Sequence, residues 1–176
     1  MDKEELKKAL ELASQMDAQT KEASEFDEEQ QLQKFLDVIS MIESSGGKDF
    51  GHKELESGIH KGHSAIGNYG LMPNTIKEIA NRMKISGELT PELQQYSQMQ
   101  PDQMKQALER NPAVERTFAK DLADRVMDKF DRDEEKAAYS WFQGHNITPQ
   151  RMQEEPYQTH DYVEKYNRFK KKLFGE

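Results

Sequence analysis

Apolar residues recur every three or four positions along this chain, in short stripes separated by Gly, Pro and Ser. That spacing predicts helix nearly throughout. Leu6, Leu10, Ala13 and Met16 form a first stripe, with Lys and Glu on the other faces. The pattern fades over 20–29, a run rich in Glu, Asp, Ser and Gln, which reads as a linker or frayed junction. Residues 1–24 are therefore set apart as an amphipathic N-terminal helix and linker, and 25–176 as the main domain. Leu32, Phe35, Leu36, Ile39 and Ile42 make a stronger stripe, capped near Asp27 and stopped by Gly46-Gly47. Glu43 falls in the last turn of that helix, beside an apolar face.

From 48 to 69 no period holds, and Gly, His, Lys, Asn and Ser dominate. Long unpatterned loops in compact domains are usually functional or disordered, and a small irregular hairpin is the one non-helical feature expected here. Helix returns at Thr75, whose hydroxyl is placed to cap a stripe of Ile76, Ile79, Ala80 and Met83. Shorter helices follow Pro101 and Pro112, the second with the longest stripe, Phe118, Ala119, Leu122, Val126 and Phe130. Ala137, Ala138, Trp141 and Phe142 mark another, ending near Gly144. Tyr162, Tyr166, Phe169 and Leu173 mark the last. No strand pattern and no internal repeat is visible, so the fold class is all-α.

Composition narrows the function classes. The 176 residues suit one well-buried domain. Lys and Arg number 25 against 33 Asp and Glu, a net charge of -8, which disfavours binding to nucleic-acid phosphates. The basic run Arg168 to Lys172 complements the dipole of a C-terminal helix. No cysteine is present, which removes disulfides and thiolate metal sites. No apolar run approaches the ~20 residues of a membrane span.

Three segments carry candidate chemistry. In Met41-Ile42-Glu43-Ser44-Ser45-Gly46-Gly47, a Glu at the end of an apolar stripe is expected to be partly desolvated and near a helix C-terminus. Both effects favour the protonated form that a general acid requires. Gly67-Asn68-Tyr69-Gly70-Leu71-Met72-Pro73 has the glycines that allow close backbone approach to a ligand. Ala138-Tyr139-Ser140-Trp141-Phe142 offers aromatics that serve either as core or as a sugar-stacking platform. His52, His60 and His63 have no zinc-ligand spacing, and no metal site is expected from them.

Taken in order, Glu43-Ser44, Gly70-Leu71-Met72, Ala138-Tyr139 and Tyr162-Val163 resemble the motifs of the lytic transglycosylases, peptidoglycan-cleaving enzymes on the goose-lysozyme-like fold. The resemblance covers about residues 30 to 170. Pro73 stands where that family has Gln, Ser140 where it prefers Asn, and Gly144 comes later than the family's glycine. The resemblance implies a lysozyme-like domain with an extra N-terminal helix. It also implies cleavage of the MurNAc-GlcNAc β-1,4 bond, with 1,6-anhydromuramoyl ends and no metal or organic cofactor. Glu43 is then the acid/base, and Ser44 orients substrate or Glu43. Tyr162 hydrogen-bonds near the carboxylate, while Gly70, Leu71, Met72 and Tyr139 line the glycan groove.

Two other readings stay open at this stage. Asp49, Glu54 or Glu56 could position a water for a hydrolytic lysozyme (muramidase), and the fold could serve a non-catalytic cell-wall-binding or virion structural protein. The expected partner is peptidoglycan, with no nucleic acid and no membrane span. Met1 opens into a charged helix with no secretory signal, so action at the bacterial wall is expected by another route: a phage virion, phage lysis or a secretion apparatus. The stripe on the N-terminal helix is a candidate dock for virion or secretion proteins.

Overall fold

A computed structural model describes residues 3–49 and 64–176, with side chains described from Leu12 onward. The chain divides into two compact units, Met1–Lys34 and Phe35–Glu176. Helix α1, Lys3–Ser44, is continuous across that boundary. The break expected over 20–29 is absent. Loss of hydrophobic period does not interrupt a helix when the residues are good helix formers and no Gly or Pro intervenes, and the first Gly here is Gly46. Polar side chains in the stretch bond along the helix: Thr20 Oγ1 donates to the Met16 carbonyl at 2.8 Å, and Lys21 lies 3.8 Å from Glu25. In this first unit Leu12, Ala13, Met16 and Phe26 are exposed.

The second unit takes the end of α1 and seven further helices among the described residues. These are α2 (Pro73–Ser86), α3 (Pro91–Gln98), α4 (Pro101–Arg110), α5 (Pro112–Lys129), α6 (Glu134–Gln143), α7 (Pro149–Glu154) and α8 (Asp161–Phe174). A 3-10 turn, Tyr157–Thr159, precedes α8. Five of the six prolines open a helix, where a missing N–H costs nothing and φ is already helical. This corrects the expected start of α2: Pro73 begins it, Met72 is its N-cap, and Thr75 is buried inside rather than capping. Thr90, Asp133 and Thr148 cap α3, α6 and α7 through side-chain oxygens.

The core collects the faces that the stripes predict. Phe35, Leu36 and Ile39 of α1, Ile76 and Ile79 of α2, Phe118 and Ala119 of α5, Ala137 and Ala138 of α6, and Val163 and Tyr166 of α8 are all buried. Burial of each large side chain contributes roughly 1.5–3 kcal/mol. Phe35 meets the rings of Trp141 and Tyr166 at 6.0 and 5.6 Å, which fixes the end of α1 against α6 and α8. No strand occurs among the described residues; Ile66 and Leu71 form an isolated antiparallel bridge. Most of the loop in which a hairpin was expected, 50–63, lies outside the described residues. No helix among the described residues is long and apolar enough to cross a membrane.

Candidate active site

The site is built around the tight turn closed by the Ile66–Leu71 bridge, with backbone bonds of 2.8 and 3.1 Å in the two directions. Gly67 and Gly70 take φ of +68° and +65°, conformations that only glycine adopts readily. A side chain at either position would also have to displace a carboxylate. A Cβ on Gly70 would lie 2.4 Å from Glu43 Oε2, and one on Gly67 would lie 2.4 Å from Glu115 Oε1. The turn is thus packed between two carboxylates.

Glu43 projects from the last turn of α1 and is half-buried. The Tyr162 hydroxyl, from the first turn of α8, donates to Glu43 Oε1 at 2.6 Å. Tyr162 is 6% exposed, and burial, then the Glu43 carboxylate beside it, hold its phenol well above the usual tyrosine range. It is therefore a fixed donor at any physiological pH. The exposed ring of Phe142 stacks on Tyr162 at 5.0 Å and 27°.

Ser44 turns the other way. Its side chain is buried; its hydroxyl contacts the Ser40 and Asn68 carbonyls at 3.0 Å and accepts the Gly47 N–H at 2.8 Å. The sequence pair Glu43-Ser44 therefore divides its roles, with Glu43 facing a cavity and Ser44 clasping the end of α1 to the turn.

Glu43, Gly70, Leu71 and Met72 share the wall of a cavity of about 620 Å³ with Ala65, Thr75, Leu122, Trp141, Phe142, and a run from Gln143 to Thr148 with Arg151. Among the described lining residues Glu43 is the one carboxylate. Trp141 Nε1 donates to the Tyr69 carbonyl at 3.1 Å, which pins the turn to α6. Tyr139 is placed elsewhere than the expected groove. It is 3% exposed, packed with Phe130, Ile147, Met152 and Val163, and its hydroxyl donates to Glu155 at 3.1 Å. Helical spacing is the reason: on α6, Tyr139 and Trp141 are two positions apart and face different sides. Asp49 is exposed, and Glu54, Glu56, His52, His60 and His63 lie outside the described residues.

Glu115 is the residue that sequence reasoning missed. It is 1% exposed, and its Oε1 accepts the Tyr69 N–H at 3.0 Å, with the Asn68 N–H bonded to the same carboxylate. Burial pushes its carboxyl up to about 7, against the lowering effect of those two N–H groups. A signal existed: Glu115 is in phase with the stripe Phe118, Ala119, Leu122 and Val126, so an acid stood on a face otherwise reserved for the core. Among the described residues no group of His, Cys, Asp and Glu is placed to hold a metal ion. No protein family, curated protein or solved structure gives a significant match to the chain.

Proposed function

We propose that this protein is a peptidoglycan lytic transglycosylase on a lysozyme-like domain, with Glu43 as its single acid/base. The observation that carries the reading is one carboxylate on a cavity wall, oriented by a buried tyrosine hydroxyl and crowded by the backbone of Gly70. A two-carboxylate glycosidase needs a second acid at about 5 Å for retention or about 6.5–9.5 Å for inversion. Among the described lining residues Glu43 is the one carboxylate, and the resemblance of Glu43-Ser44 and Tyr162-Val163 to the transglycosylase motifs supports a mechanism that uses one group twice.

In that mechanism protonated Glu43 gives its proton to the glycosidic oxygen as the bond to the anomeric carbon breaks. The carboxylate so formed then takes the proton from the C6 hydroxyl of the same muramoyl residue as that oxygen closes on the anomeric carbon. The product is a 1,6-anhydromuramoyl end, and no water is consumed. Tyr162 holds the carboxylate in one orientation through both steps, which limits the reorganisation between them. Gly70, Leu71 and Met72 form the wall beside it, and Trp141 and Phe142 present apolar ring surface of the kind that saccharides pack against.

Purified peptidoglycan with mass spectrometry of the soluble products tests this reading. Anhydro ends are expected, and Glu43→Gln should cut their release by at least ~10²-fold while leaving the fold intact. Reducing ends instead would assign a hydrolytic muramidase. No release by the wild-type chain would favour a non-catalytic wall-binding protein.

A further inference from the structure

The turn that crowds Glu43 is held from behind by a second carboxylate with no part in the mechanism above. Glu115, on the first turn of α5, accepts the backbone N–H groups of Asn68 and Tyr69 and fills the space over Gly67. One peptide further along, Gly70 lies against Glu43 Oε2. The carbonyl of Tyr69 takes the Trp141 Nε1 bond. Two acids thus face each other through four residues of backbone.

We propose that Glu115 is a positioning residue whose change between charged and neutral forms sets how firmly the Gly67–Gly70 turn is held against Glu43 and the cavity. The two backbone N–H groups favour the charged carboxylate, but burial outweighs them, so the neutral form keeps the turn closed over Glu115 and charging loosens it. Among the described residues Glu109 on α4 acts on Glu115, and the Tyr69 phenol in the turn feels Glu115 together with Arg116 on α5 and Asp37 on α1. Arg116 is turned to the Tyr69 hydroxyl, 2.9 Å away, and to Asp37 at 4.0 Å. Burial brings the changeover to about 7. Its effect on turnover rests on the reading of Glu43 as acid/base; the coupling of Glu115 to the turn does not.

Trp141 is the single tryptophan and sits on the coupled peptide, so its fluorescence reports the turn directly. In the full chain, titrated from pH 5 to 9, a transition centred near pH 7 is expected. Glu115→Gln, which copies the neutral form, should abolish it and keep the low-pH emission. A transition that survives unchanged in Glu115→Gln belongs to a histidine or another group and overturns the proposal. Amide shifts of Asn68 and Tyr69 in the wild-type chain give a readout independent of the variant's folding. Both should titrate together near pH 7, and flat shifts overturn the proposal. On peptidoglycan, Glu115→Gln should match the wild type near pH 5.5 and exceed it roughly fivefold at pH 8, mostly in kcat. Absence of any cleavage by the wild type would count against the transglycosylase reading while leaving the spectroscopic result to decide the coupling.

Discussion

Tyr162 donates a 2.6 Å hydrogen bond to Glu43 across 119 positions of sequence, and this joins the last turn of α1 to the first turn of α8. The phenol is buried and held protonated, so it serves as a donor through the whole working pH range. Tyr162→Phe should keep the stack on Phe142 and remove only this bond. A bond to a charged group is worth about 1.5–3 kcal/mol. The expected result is a loss of roughly tenfold or more in kcat with KM changed far less. An unchanged kcat would show that Glu43 is oriented by other contacts.

Gly70→Ala should be much more damaging than its one added methyl suggests. The Cβ would meet Glu43 Oε2 at 2.4 Å, and φ at +65° strains any L side chain. Gly87→Ala is the matched control, because φ there is +80° and nothing lies within 4 Å. Backbone strain alone costs about 1–2 kcal/mol. Gly87→Ala should therefore lower the melting temperature modestly and leave cleavage alone, while Gly70→Ala should lower the melting temperature further and abolish cleavage. Equal effects of the two would show that the contact with Glu43 relaxes easily.

Glu115 makes stability fall as pH rises. Its carboxyl in the folded chain is raised to about 7 from 4.5, so the native state holds a proton that the unfolded chain releases earlier. The associated stability is fully present below about pH 4.5 and is lost as pH climbs through about 7, a difference of about 3 kcal/mol. The penalty for burying the charge exceeds what the two backbone N–H groups return, so charging Glu115 both loosens the turn and lowers stability. Glu115→Gln should be more stable relative to wild type at pH 8 than at pH 5, by urea denaturation at both. Parallel pH dependence in the two proteins would place the titration elsewhere.

Tyr139→Phe should separate a core role from a groove role. The ring packs among Phe130, Ile147, Met152 and Val163, and the hydroxyl bonds Glu155. Loss of that bond costs stability of about 1 kcal/mol. Cleavage should stay within about twofold, whereas a rise in KM would return Tyr139 to the saccharide path.

Much of the fold was legible in the one-dimensional pattern. The period of apolar residues found most of the helices but missed the short α3 and α7, and Pro and Gly marked several of the ends, because both act through local backbone geometry. Glu43 was legible for the same local reason, as an acid at the end of an apolar stripe before Gly-Gly. The continuity of α1 through 20–29 was not, because helix propensity persists where amphipathicity fades. The opposite fates of Glu43 and Ser44 were also hidden, since neighbouring residues in a helix point about 100° apart and only the surrounding structure says what each direction meets.

What the sequence by itself determined was the all-α class, the helix starts at Pro101 and Pro112 and the candidate acid. Each is set by interactions within a few residues. Only the tertiary structure decided the 2.6 Å bond from Tyr162 to Glu43 Oε1, which the resemblance had implied only in outline, that Tyr139 belongs to the core, and that Glu115 lies under the Gly67–Gly70 turn. Those outcomes depend on which helices pack together, and burial, which governs the charge of Glu115 and the donor role of Tyr162, exists only once they have done so.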